Sequence, residues 1–375
     1  MSRNSSIEKL DYWSCIFLSS ESHVFTLDNQ SIFEYNCRVH GSYLTSSDTS
    51  SGFAVSLFIS VLIFTMGAFG VVTNILNILI LRKSGSQNGV RFRESEIYLA
   101  MIELVLCLFT ILLMLMMILI LANWTRTKEA FILLLVIDRI FMMSCTAAFY
   151  QSIVVSVERI LMVVFPIKAK LLLERSMGRR LAVFVLVLAL SPVLNLSWIL
   201  KAYVGENEVF DWDTDSEMAT FPFVVKRNSY YSNVWPRWLQ DLLVGFKSLG
   251  PFPTFLILRG LLYLTINNAN KQSGFITKRQ KRDIHAAKMF SVIVMILLAC
   301  NVTPFVLYIT YCFRMEIYWE LVLLHMLSDV TGAATNFIVY FAFGRAFRKE
   351  FWNLMRKIGS PFPNTSTEIT SSPSS

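Results

Sequence analysis

Seven stretches of this chain are apolar over roughly twenty residues or more, the length a helix needs to cross the hydrocarbon of a bilayer. They run approximately from Phe53 to Leu81, Ile97 to Ala122, Ala130 to Val164, Leu181 to Ala202, Trp238 to Ile266, Ile284 to Tyr311 and Tyr318 to Phe343. No other feature constrains the fold so tightly, because a helix in lipid satisfies its own backbone hydrogen bonds. The expected fold is therefore all-α, a seven-transmembrane helix bundle over residues 53–343. Composition agrees: 54% of the 375 residues are hydrophobic and 16% charged, against about 25% charged in soluble domains. Residues 1–52 form a polar tail without the basic, apolar, small-residue pattern of a signal peptide, so the first span is expected to direct insertion. Residues 344–357 form a short amphipathic helix, and 358–375 a disordered Ser/Thr-rich tail.

Charge orients the bundle. The net charge of +8 gathers in the short segments after the first, third, fifth and seventh runs, for example Arg91 and Arg93, Arg179 and Arg180, Lys281 and Arg282, Arg348 and Lys349. Positive loops stay in the cytoplasm, so the N-terminus is expected outside, the C-terminus inside, and the protein in the plasma membrane. The same placement explains the basic balance without a nucleic-acid partner. Glycosylation triplets at Asn4, Asn29 and Asn123 fall on the outer side; another at Asn364 falls in the inner tail.

Seven spans alone do not name a function, but motifs in four of them do. The first span holds Asn74 and Asn77, and the second reads Leu99-Ala100-Met101-Ile102-Glu103. The third closes with Glu158-Arg159-Ile160, then Val163 and Pro166, and the seventh carries Asn336-Phe337-Ile338-Val339-Tyr340. In order and in the correct spans, these resemble the first-helix Asn, L-A-x-x-D, D/E-R-Y and N-P-x-x-Y motifs of rhodopsin-like G-protein-coupled receptors, with Glu for Asp and Phe for Pro. Finer features narrow the branch. Cys300-Asn301-Val302-Thr303-Pro304 in the sixth span and Phe343-Gly344-Arg345-Ala346-Phe347-Arg348-Lys349-Glu350-Phe351 after the seventh look like invertebrate FMRFamide, myosuppressin and sex-peptide receptors. Nematode serpentine chemoreceptors are similar to the same branch. The resemblance spans roughly Phe53 to Met355.

It implies a receptor coupled to a heterotrimeric G protein and an extracellular ligand, an RFamide-like neuropeptide before an environmental small molecule. It also implies roles. Glu158 and Arg159 would form a resting pair, released when the sixth helix swings about Pro304, so that Arg159 meets the G protein. Asn336 and Tyr340 would complete that switch. Asn74, Asn77, Glu103 and Asn336 would form a polar network that could hold water or a sodium ion, although the extra methylene of Glu103 departs from the usual Asp. The bland alternative for Glu103 is a protonated structural carboxyl. The Ser/Thr tail could serve arrestin after phosphorylation, or be filler.

Other departures mark a divergent relative. The Cys that such receptors carry at the start of the third span is absent, with Leu134 in that neighbourhood, and residues 201–235 contain no Cys. Of six Cys, Cys107, Cys145 and Cys300 lie within spans and are expected to pack as small apolar residues. Cys15, Cys37 and Cys312 lie outside, where Cys15–Cys37 or Cys37–Cys312 could pair.

Ligand-facing candidates gather at the outer mouth. Asp138, Arg139 and Met142 come from the third span, Tyr308 and Tyr311 from the sixth, and His325 and Asp329 from the seventh. Asp329 could bind a cationic group or pair with Lys247. The second outer loop holds Asp211, Asp213 and Asp215 among other acids, either to attract a cationic ligand or simply to remain solvated. Competing functions fare worse. A retinal pump needs a Schiff-base Lys in the last span, which Tyr318 to Phe343 lacks. An insect odorant channel has its N-terminus inside, and an intramembrane enzyme needs facing catalytic groups that Glu103 and Asp329 do not supply.

Overall fold

The computed structural model describes residues 49–88, 94–121, 127–164, 177–196, 202–206, 223–227, 237–248, 250–271, 291–313 and 319–359. Its elements are α1 (Thr49–Asn88), α2 (Glu94–Leu121), α3 (Lys128–Val164), α4 (Met177–Leu194), β1 (Ala202–Glu206), β2 (Phe223–Arg227), α5 (Arg237–Ser248), α6 (Pro251–Lys271), α7 (Val302–Cys312), α8 (Trp319–Phe343) and α9 (Arg345–Gly359). Residues 291–300 are also helical and lead into α7. Among the described residues, five helical stretches are long and apolar enough to cross a membrane: Val55–Lys83, Glu94–Leu119, Lys128–Glu158, Ser291–Thr310 and Leu321–Phe343. They coincide with the expected first, second, third, sixth and seventh runs.

Burial is inverted relative to a water-soluble bundle. Asn74, Asn77, Glu103 and Asn336 are each at most 2% exposed, whereas Val105, Leu108, Leu112 and Leu115 on one face of α2 are 39–43% exposed. Those four leucine and valine positions follow helical spacing, and a continuous apolar stripe of that kind requires lipid rather than water beside it. Hydroxyls inside the spans are quenched locally. Thr110, Ser144, Ser152 and Ser156 each donate to the carbonyl four residues earlier, so none of these four hydroxyl hydrogens is left facing hydrocarbon. At the head of α3, the Thr127 hydroxyl accepts from the Ala130 amide at 3.3 Å, an N-cap that satisfies one of the four free donors of that end.

Helix α2 lies between α1 and α3, and α8 packs along α1. One glycine governs the first of these contacts: a Cβ on Gly70 would stand 2.5 Å from Cys107 Sγ, so α1 approaches α2 closely only because residue 70 has no side chain. Cys107, Cys145 and Cys300 are unbonded thiols, and Cys107 belongs to the apolar core with Leu134, Phe141, Leu323 and Val330, as expected of packing residues. Cys15 and Cys37 lie outside the described residues, as does the side chain of Cys312.

Two features differ from expectation. The segment after α4 carries strands: β1 and β2 pair antiparallel with Ala202 opposite Arg227 and Glu206 opposite Phe223, so the fold is predominantly rather than purely helical. The fifth run is also broken, into α5 and α6. Gly250 sends its amide to the Gly245 carbonyl, five residues back, at 3.2 Å, and Pro251 has no amide to offer. The Phe246 carbonyl thereby loses its helical donor. Tyr150 of α3 supplies one, its hydroxyl donating to that oxygen at 3.2 Å. Tyr150→Phe is therefore expected to lower thermal stability in detergent by about 1 kcal/mol, the cost of one unmet hydrogen bond. An unchanged melting midpoint would show that the break tolerates an open carbonyl.

Helix α9 shows how the amphipathic segment is used. Phe347 and Phe351 pack back onto the bundle, their rings 5.6 and 5.9 Å from Phe337 and, for Phe351, 5.3 Å from Phe341. Arg348 donates to the carbonyls of Phe341 and Ala342 at 2.8 and 2.5 Å, capping the open C-terminal end of α8 with a cation. Glu350 meets Lys83, at the end of α1, at 3.4 Å. The apolar face of this amphipathic helix is thus largely spent on protein, and Trp352 remains 55% exposed.

Candidate switch and ligand sites

The intramembrane carboxyl dictates the centre of the bundle. A buried carboxyl demands a partner, and Glu103 of α2 finds one in α8: Asn336 Nδ2 donates to Glu103 Oε1 at 2.5 Å. Asn74 of α1 donates to the carbonyls of Gly70 and Ala333 at 3.0 and 3.3 Å, and Asn77 reaches Asn74 Oδ1 at 3.4 Å. All four expected members thus sit together, tying α1, α2 and α8. Asn74 fastens α8 through a backbone carbonyl, and Glu103 fastens it through a side chain.

Tyr340, one turn along α8 from Asn336, is buried, with its ring 5.8 Å from that of Phe347. Phe337 stands where similar receptors carry proline. It stacks on Phe341 at 6.0 Å, so this position contributes aromatic packing instead of a missing amide. Pro304 lies in the first turn of α7, and one turn earlier Asn301 donates its side-chain amide to the Leu297 carbonyl at 2.6 Å. Phe252 and Phe305, each immediately after or next to a proline, stack at 4.7 Å and join the two interrupted helices.

Glu158 ends the third span. Its carboxylate accepts from Ser95 Oγ at 3.0 Å and lies 3.8 Å from Arg180 Nε; Arg180 Nη1 also reaches Glu94 Oε2 at 3.4 Å. Arg159 is helical, but its side chain lies outside the described residues. Sequence reasoning missed Arg180, counting it among cytoplasmic loop charges. The available signal was its position beyond the basic pair's first member, at the start of an apolar helical run where one face must turn inward.

In the half of the bundle away from Glu158, charged groups of both signs converge. Arg139 Nη1 meets Asp138 Oδ2 at 3.1 Å. Lys247 of α5 lies 3.5 Å from Met142 Sδ. His325 and Asp329, one turn apart on α8, approach to 3.6 Å, giving Asp329 a partner not expected from the sequence. Cys145 lies close enough to Asp329, Lys247 and Asp138 to feel all three charges. Tyr308 stands against α5, its hydroxyl 3.3 Å from where a Cβ of Gly245 would be. Asp138, Arg139, Met142, Tyr308, His325 and Asp329 therefore all fall in helices around one region. The side chain of Tyr311, the acids Asp211, Asp213 and Asp215, and the sequon residues Asn4, Asn29 and Asn123 lie outside the described residues.

These features can be set beside known proteins. Residues 64–230 match the family model of the serpentine type 7TM GPCR chemoreceptor Srx. The FMRFamide receptor of Drosophila melanogaster is 25% identical over 299 residues, which cover 78% of this chain and 52% of that receptor. The chain thus spans about half the length of the curated relative it matches. Over most of its length the chain is similar to an FMRFamide receptor, and over residues 64–230 to the serpentine 7TM GPCR chemoreceptors of the Srx family.

Proposed function

We propose that this protein is a seven-span G-protein-coupled receptor for an extracellular RFamide-like peptide. The observation that carries the reading is the Glu103–Asn336 bond with Asn74 beside it, because it joins three motif positions into one buried polar group at mid-bundle. A receptor needs such a group. It is stable enough to hold a resting packing and polar enough to be rearranged when a ligand shifts the helices. Similarity to an FMRFamide receptor supports the ligand class. The carboxylates Asp138 and Asp329, with the acidic loop between β1 and β2, support a basic ligand. A chemosensory role for a small molecule is the second reading, favoured by the match to the Srx chemoreceptor family over residues 64–230.

The ligand test is a panel of amidated peptides applied to transfected cells, reading calcium and cAMP. A response to a peptide ending Arg-Phe-amide is expected, and silence to all, with a response to small odorants, would favour the second reading. With an active peptide in hand, Asp211, Asp213 and Asp215 changed together to Asn should slow association at low salt and leave dissociation unchanged. Exposed charges steer over about 8 Å at physiological salt and act on the on-rate. Unchanged association would leave that loop without an electrostatic role.

Topology is tested separately. An epitope at residue 2 should bind antibody on intact cells, and one after Ser375 only after permeabilisation. The reverse result would remove the receptor reading.

A further inference from the structure

The acidic member of the coupling motif is engaged by helices other than its own. Glu158 accepts from Ser95 Oγ at 3.0 Å and lies 3.8 Å from Arg180 Nε. Arg180, at the head of α4, is 5% exposed and also meets Glu94 of α2 at 3.4 Å. Gln151, two turns before Glu158 on α3, donates to the Ser95 carbonyl at 3.1 Å, so the start of α2 is fixed to α3 independently. A guanidinium buried this deeply requires anions on its fork. Here two carboxylates from two helices share one fork, and one of them, Glu158, is the carboxylate that Arg159 would also use.

We propose that Arg180 is a positioning residue for the Glu158–Arg159 switch, competing with Arg159 for the single Glu158 carboxylate and so setting how much receptor signals without agonist. The proposal rests on the G-protein-coupling reading. Held against α2 and α4 by Ser95 and Arg180, the Glu158 carboxylate is shared rather than reserved for its neighbour in the motif. On this proposal, removing Arg180 leaves the Glu158 carboxylate to Arg159, and the resting state tightens. The direction is opposite to the usual consequence of deleting a buried ion-pair partner, which loosens a structure.

The test uses membranes from cells expressing equal surface amounts of full-length receptor, and reads agonist-free exchange of a non-hydrolysable GTP analogue onto mixed heterotrimeric G proteins. Wild type should exceed empty membranes. Arg180→Ala should lower exchange severalfold, and Arg180→Lys, which keeps the charge without the fork, should fall between. Glu158→Gln should raise exchange, and in that background Arg180→Ala should have no further effect. Should Arg180→Ala fail to reach the surface, the Lys variant with and without Glu158→Gln carries the same comparison. An equal loss from Arg180 substitution in both backgrounds, or a gain, would overturn the proposal. Exchange that Arg159→Ala abolishes but Arg180 variants leave untouched overturns it while sparing the coupling reading. Exchange no different from empty membranes in every variant overturns both. In that case a thermal-unfolding cycle in detergent on residues 158 and 180 reports whether the pair itself exists.

Discussion

Arg159→Ala should leave the protein at the cell surface, binding agonist within a few-fold of wild type, yet silent. The expectation follows from position. Arg159 lies at the far end of α3 from Asp138, Arg139 and Met142, separated by about five helical turns, roughly 30 Å at 1.5 Å per residue. A side chain at that distance does not touch a ligand at the other mouth, so its removal acts on what meets the inner face. The measurement is paired: saturation binding and second-messenger output on the same cells. Signalling at normal potency would show that this arginine merely extends to the membrane surface, as long cationic side chains at helix ends commonly do.

The second large effect is expected at Asn336. Replacing it with leucine keeps the volume and removes the side-chain amide that donates to Glu103 Oε1, leaving a carboxyl that is 2% exposed without that bond. A buried acceptor stripped of its partner costs on the order of 2 kcal/mol, more if it remains charged. A lower melting midpoint in detergent and reduced surface expression should follow. Glu103→Gln, which preserves an acceptor and removes the charge demand, should be far milder. Equal midpoints for Asn336→Leu and wild type would mean that the network is incidental to stability.

Why some of this was legible in the sequence and some not has a physical explanation. A carboxyl in an apolar run announces that it needs company, so Glu103 pointed to Asn74 and Asn336 before any coordinates did. The break between α5 and α6 was present in the letters Gly250, Pro251 and Pro253, but hydropathy is blind to amide donors and reads straight through a helix that loses two of them. Arg180 was hidden for a different reason: charge counting assigns an arginine near a helix end to the cytoplasm, whereas the side chain is enclosed between two acids. The ribbon of β1 and β2 was masked by the acidic stretch that separates its strands, which dominates any reading by composition. Helix α9 was recognised by its periodicity, but periodicity does not say what an apolar face will touch, and the rings of Phe337 and Phe341 claimed it ahead of lipid.

That claim has a practical side for anyone shortening or tagging the protein. The C-terminal end of α8 has no stop of its own: its last carbonyls are closed by Arg348, its aromatic side chains by Phe347 and Phe351, and Lys83 of α1 is met by Glu350. The chain after Phe343 is therefore a plug for the bundle's underside, and the earliest safe cut lies beyond Leu354, which still packs on that inner cluster. A reporter joined at residue 344 would open three seals at once, whereas one joined after Gly359 would hang from a fixed point beneath the first helix.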